Sequence, residues 1–85
     1  MSISLIDLPY LIELVSKDIK NLEEAINNPD TPDGIRDSCG ELLIAASRTA
    51  ANLQSQYQQE WQVGNNIPSY EDLIKDIQER IFYNS

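Results

Sequence analysis

The chain has 85 residues, with 14 Asp or Glu, 6 Lys or Arg and no His, so its net charge is −8. An acidic surface repels phosphate, and we therefore expect no direct binding of nucleic acid. The absence of histidine excludes histidine-based catalysis and histidine metal ligands, and the single cysteine excludes an internal disulfide and a multi-cysteine zinc site.

The N-terminal stretch is apolar, but Asp7 and Glu13 interrupt it and no basic residue precedes it. A secretory signal has basic residues followed by an uninterrupted apolar run, so none is expected here. No run approaches the roughly 18 uncharged apolar residues of a membrane-spanning helix. Because a lone Cys39 fits a reducing compartment, these features predict a cytoplasmic protein without membrane contact.

Residues 1–85 are expected to form one domain containing three helices and no strands. The first helix is predicted over Leu8 to Asn27, with Asp7 as its N-cap and Pro9 in its first turn. Apolar residues at the spacing of one helix face predict its buried side: Leu8, Leu11, Ile12, Val15, Ile19, Leu22 and Ile26.

The second helix is predicted from Pro32 to Gln62 or Val63, with Thr31 as its N-cap and Gly64 as a left-handed C-terminal residue. The sequence SCGE at 38–41 resembles a capping box and offers a later start. We favour the earlier start because the apolar positions keep one helical phase: Ile35, Cys39, Leu42, Leu43, Ala46, Ala50, Leu53, Tyr57 and Trp61.

Ser69 is the predicted N-cap of the third helix, which runs nearly to the end of the chain. Its apolar face is predicted to contain Leu73, Ile74, Ile77, Ile81 and Phe82. The predicted fold is therefore all-α: an antiparallel helical hairpin with a long central helix, plus a third C-terminal helix in a bundle-like arrangement.

The length of the central helix predicts a dimer. At 1.5 Å per residue this helix spans about 45 Å, whereas a compact chain of this size has a radius of gyration of about 12 Å. The helix must kink at Gly40, protrude, or be covered by a second copy. Between residues 42 and 68, which include most of this helix, the chain carries only two charged residues, Arg48 and Glu60. This matches an interface, because interface cores are depleted in charge. We therefore expect a homodimer.

The same charge-poor region supplies a candidate surface for a protein partner. The residues predicted to bind it are small or aromatic: Ala45, Ala46, Ala50, Tyr57 and Trp61. Small residues allow close helix approach, and Tyr and Trp are frequent binding anchors. The alternative is that the aromatic residues only close the small core against the third helix.

The acidic side of the first helix supplies a second candidate surface. Its residues are Glu13, Asp18, Glu23 and Glu24, and Glu13 is also placed for an i, i+4 ion pair with Lys17. Such a surface could bind a basic partner through charge, although charged helix faces are usually only solvated.

These residues predict a non-enzymatic, regulatory interaction protein, namely an adaptor or assembly factor. The alternative is an acidic inhibitor of the immunity, antitoxin or phage type that blocks a basic protein surface, including by nucleic-acid mimicry. No catalytic residues, cofactor or metal are expected: Cys39 has no base to activate it, and Pro32 and Gly34 break the calcium-loop pattern between Asp30 and Glu41.

Overall fold

The structure, a computed structural model, describes residues 4–62 and 66–83, apart from the side chain of Phe82. It contains three helices, α1 (Leu8–Asn27), α2 (Asp33–Glu60) and α3 (Tyr70–Tyr83). Helices are the only regular secondary structure in the described part of the chain, and α1 packs mainly against α2. The predicted all-α class and the three-helix order are confirmed.

Helix α1 has the predicted bounds, but Asp7 makes no side-chain capping bond at its start. The backbone of Asp7 is helical, and its N–H group donates to the carbonyl oxygen of Ser4 at 2.9 Å. A turn before α1 therefore supplies a hydrogen bond at this end of the helix. At the other end, Asn28 is extended because it precedes Pro29, which disfavours the helical conformation.

Helix α2 begins at Asp33, one residue later than predicted, and Pro32 rather than Thr31 stands at the N-cap without a side-chain bond. The guanidinium of Arg36 instead stabilises the N-terminus of α2 by donating to the carbonyl oxygens of Asn28 at 2.9 Å and Thr31 at 3.3 Å. The helix is continuous through Gly40, so the alternative start within SCGE is not used.

Helix α2 ends at Glu60, earlier than predicted, because Trp61 adopts an extended conformation. The indole N–H of Trp61 donates to the carbonyl oxygen of Ile67 at 2.7 Å, which ties the chain after α2 to the segment before α3. The predicted C-terminal positions Val63 and Gly64 lie outside the described residues. The prediction for Ser69 is confirmed, since its Oγ accepts a bond of 3.3 Å from the N–H of Asp72.

The core lies where all three helices meet, at the N-terminal half of α1 and the C-terminal half of α2. Each helix contributes two buried residues: Leu8, Ile12, Leu53, Tyr57, Leu73 and Ile77. Leu22 is also buried, farther along α1. The other half of α2 packs on α1 in a two-helix arrangement, and within α2, which is described in full, no residue before Leu53 is buried.

Helix α2 is continuous and extends beyond the three-helix core. The radius of gyration is 14.7 Å and the dimensions are 48 × 31 × 15 Å, so the chain is more extended than a compact globule of its size. The second copy that the length of α2 predicts stays a prediction.

Gly40 lies inside α2 without any steric need for glycine, because a Cβ atom built there meets nothing within 4 Å. Gly40→Ala is expected to raise the free energy of unfolding by about 1 kcal/mol, the usual helix-propensity difference. Gly34→Ala, also in open space but in the first turn, should give a smaller gain. Urea denaturation monitored by circular dichroism measures both, and destabilisation by Gly40→Ala would contradict a continuous α2.

Candidate interaction surface

The two aromatic residues predicted to bind a partner have structural contacts inside the protein. Tyr57 is fully buried, and its hydroxyl donates to the carbonyl oxygen of Pro68. Its ring lies 6.1 Å from that of Tyr70 in a tilted arrangement, and burial raises the pKa of both phenols. Trp61 is half-buried. We therefore leave Tyr57 out of any surface and treat both aromatic residues as the attachment of α3 to α2.

The three predicted alanines separate according to the side of α2 on which they lie. Ala45 is exposed, whereas Ala46 and Ala50 are half-buried. The latter two share the helical phase of Leu43, which is also half-buried where α2 packs on α1. Only Ala45 therefore presents its side chain fully to a partner.

Two large apolar residues expected in the buried phase of α2 are exposed instead. Ile35 is 55% exposed and Leu42 is 57% exposed. Leu42 lies about 100° and Ile35 about 80° from the direction of Leu43 around the helix, so α1 does not cover them, and α3 is too short to reach this half of α2. Ile44, on the other side of Leu43, is 63% exposed. The sequence already indicated this exposure, because the neighbouring residues Leu42 and Leu43 point about 100° apart on a helix and cannot both face α1.

Ile35 and Leu42 belong to a continuous uncharged stripe along α2. The members of this uncharged stripe are all exposed and follow each other at alternating intervals of three and four residues: Ile35, Ser38, Leu42, Ala45, Thr49 and Asn52. Every charged residue of α2 lies outside the uncharged stripe. The stripe extends for about 26 Å along the helix axis.

The acidic residues of α1 differ in how free they are to meet a partner. Glu13 bridges α1 and α3, since its Oε1 accepts from the Nε of Arg80 at 3.0 Å, and its Oε2 lies 3.2 Å from the Nζ of Lys17. The predicted Glu13–Lys17 pair is confirmed. Hydrogen bonding to Arg80 is the main reason that the pKa of Glu13 is lowered.

The remaining acidic candidates, Asp18, Glu23 and Glu24, are exposed. Glu24 lies 3.9 Å from the Nζ of Lys20, a separation that adds little stability at an exposed site. Of the four acidic candidates, Glu13 is therefore neutralised by Arg80 and Lys17, whereas the other three face solvent.

A cavity of about 410 Å³ lies between α1 and α3. It is lined by Ser16, Ile19, Lys20, Glu23, Ile74, Ile77, Gln78 and Ile81. Its walls are mainly isoleucine, and the Nζ of Lys20 donates to the carbonyl oxygen of Ile81 at 3.4 Å. This composition provides a small apolar recess, and the hydroxyl of Ser16 in its lining donates to the carbonyl oxygen of Ile12 at 2.7 Å.

Among the described residues, no group of three or more Cys, Asp or Glu residues is placed to hold a metal ion. None of the helices in the described ranges combines the length and apolarity required to cross a membrane.

In comparisons with known proteins, no family model matches the chain, and no curated protein or solved structure matches it significantly.

Tyr57→Phe tests the attachment of α3. The substitution keeps the buried ring but leaves the carbonyl of Pro68 without its donor, and we expect a loss of about 1 kcal/mol in the free energy of unfolding. Tyr83→Phe is the matched control, because Tyr83 is 91% exposed and should tolerate the change. Equal stability of the Tyr57→Phe and wild-type proteins in urea titrations would show that the hydroxyl is not needed.

Acid titration tests the Glu13–Arg80 pair. Because the folded protein lowers the pKa of Glu13 below its ordinary 4.5, this group stabilises the fold above that value, and the contribution is lost as pH falls through the folded pKa. Arg80→Gln should therefore reduce the stability difference between pH 7 and pH 3. A cycle with Glu13→Gln and the double variant isolates the pair, and the absence of coupling in that cycle would contradict the assignment.

Proposed function

We propose that the chain is a non-enzymatic protein–protein interaction module, an adaptor or assembly factor, whose contact surface is the uncharged stripe of α2. The observation that carries this proposal is the exposure of Ile35 and Leu42 on a helix half that only α1 covers. Ala45 belongs to the stripe, with Ala46 and Ala50 beside it at the α1 boundary. Tyr57 and Trp61 lie at the other end of α2, where they hold the segment before α3.

The energetics of the uncharged stripe favour contact with another apolar surface. Covering a large apolar side chain that is a little over half exposed, such as Ile35 or Leu42, contributes about 1 kcal/mol for each residue. No charge has to be desolvated within the stripe, and charge depletion is typical of interface cores. The small residues between Leu42 and Thr49 would let a partner helix approach closely.

The alternative function is an acidic inhibitor that binds a basic protein surface. Its support is the solvent exposure of Asp18, Glu23 and Glu24. Glu13 is less suited to this role because Arg80 and Lys17 already neutralise it. The two functions predict different responses to salt: binding through the uncharged stripe should depend on salt only weakly, whereas binding of a basic surface should weaken as salt screens the attraction between opposite charges.

We also propose that the chain forms a homodimer in a reducing compartment such as the cytoplasm. The support for dimerisation is the extended shape together with the uncovered half of α2. The support for the compartment is that Cys39 is the single cysteine. Light scattering tests the oligomeric state, and the mass of one chain at high protein concentration would contradict the dimer.

Affinity capture with matched variants tests the surface. The wild-type protein and an Ile44→Ser control are expected to recover the same specific partner or a differently tagged copy of the chain, whereas Leu42→Ser should lose it. Ile44 is a suitable control because it is similarly exposed on another side of α2. Recovery that survives Leu42→Ser but is lost on charge reversal of Asp18, Glu23 and Glu24 would favour the acidic inhibitor.

A further inference from the structure

We propose that the uncharged stripe is covered by the α2 helix of a second copy, running antiparallel, with Leu42 of each copy beside Ala45 of the other. This inference rests on the proposed function, because it names the partner of the same surface. It adds an orientation and a register that a dimer alone does not specify.

The order of residues in the uncharged stripe defines the register. The intervals between successive members are 3, 4, 3, 4 and 3 residues, so the pattern of positions is the same when read from either end. Antiparallel pairing about its centre sets Ile35 against Asn52, Ser38 against Thr49, and Leu42 against Ala45. At the centre, a large side chain meets a small one twice, as interdigitating helices require.

The charges of α2 favour the antiparallel orientation. Its first third carries three carboxylates, Asp33, Asp37 and Glu41, against Arg36, which gives a net charge of −2, whereas Arg48 is the only charged residue between positions 42 and 59. Parallel pairing in register would place the acidic ends of two copies side by side. In the antiparallel register, Arg48 is opposite position 39 of the second copy, only about 3 Å along the axis from Glu41, so each copy offers its cation to the acidic end of the other.

The net charge of −8 also determines where two copies can meet. Like charges repel, so two acidic chains associate most easily through a surface free of charge, and the uncharged stripe provides one. Screening by salt reduces the remaining repulsion between the copies. Self-association through the uncharged stripe should therefore strengthen when salt is raised, whereas binding of a basic partner would weaken.

Sedimentation equilibrium of the full chain at low and high salt tests the proposal. We expect a dimer whose dissociation constant falls as salt rises. Leu42→Ser should raise that constant by about tenfold or more, as for a central interface residue, and Ile44→Ser should leave it unchanged. Circular dichroism melting curves of each variant verify folding, which exposed positions on α2 are expected to tolerate.

A charge exchange tests the register. Glu41→Arg and Arg48→Glu should each weaken the dimer, and the double variant should restore it, because the two side chains meet between copies and not within one helix. A dimer that responds to Leu42→Ser but is not restored by the exchange would overturn the antiparallel register.

A single-chain mass at high concentration and high salt would overturn the self-association. If a monomeric chain still captured another protein in a manner that Leu42→Ser abolished, the proposed function would stand and only this inference would fail. If Leu42→Ser changed neither dimerisation nor capture, both would fail.

Discussion

The length of α3 relative to α2 is the constraint on which the structure depends. Helix α3 has 14 residues and α2 has 28, so they span about 21 and 42 Å. A third helix can bury core residues only along its own length, and the buried residues of α2, Leu53 and Tyr57, both lie in its second half. The first half of α2 is left on α1 alone, with Ile35 and Leu42 facing solvent.

The attachment of α3 concentrates polar contacts at the well-packed end of the molecule. Tyr57 and Trp61 each donate to a carbonyl in the segment before α3, at Pro68 and Ile67. The Glu13–Arg80 pair joins the far part of α3 to α1. Because these contacts hold the aromatic side chains inside the protein, the proposed interaction depends on the aliphatic and small polar residues of the uncharged stripe. One end of the molecule therefore stabilises the fold, and the other end is proposed to bind.

The sequence predicted the helices better than the surface. Periodicity and the prolines gave the bounds of α1 and the start of α2 to within one residue, because both signals are local. The end of α2 was predicted too late, since the bond from Trp61 to Ile67 depends on where α3 docks. Leu42 was assigned to the buried phase because an apolar residue near that phase is usually covered, and whether a third helix covers it depends on tertiary packing that the spacing alone does not contain.

Hydrogen–deuterium exchange along α2 at two protein concentrations tests the central claim most directly, because amide protection reports local opening. In dilute protein, we expect faster exchange over residues 33–46 than over residues 53–57, which the three-helix core protects. At high concentration, exchange over 33–46 should slow markedly while that over 53–57 changes little. Equal protection of both halves, with no response to concentration, would contradict a first half of α2 that packs only on α1 within one chain and is covered by a second copy at high concentration.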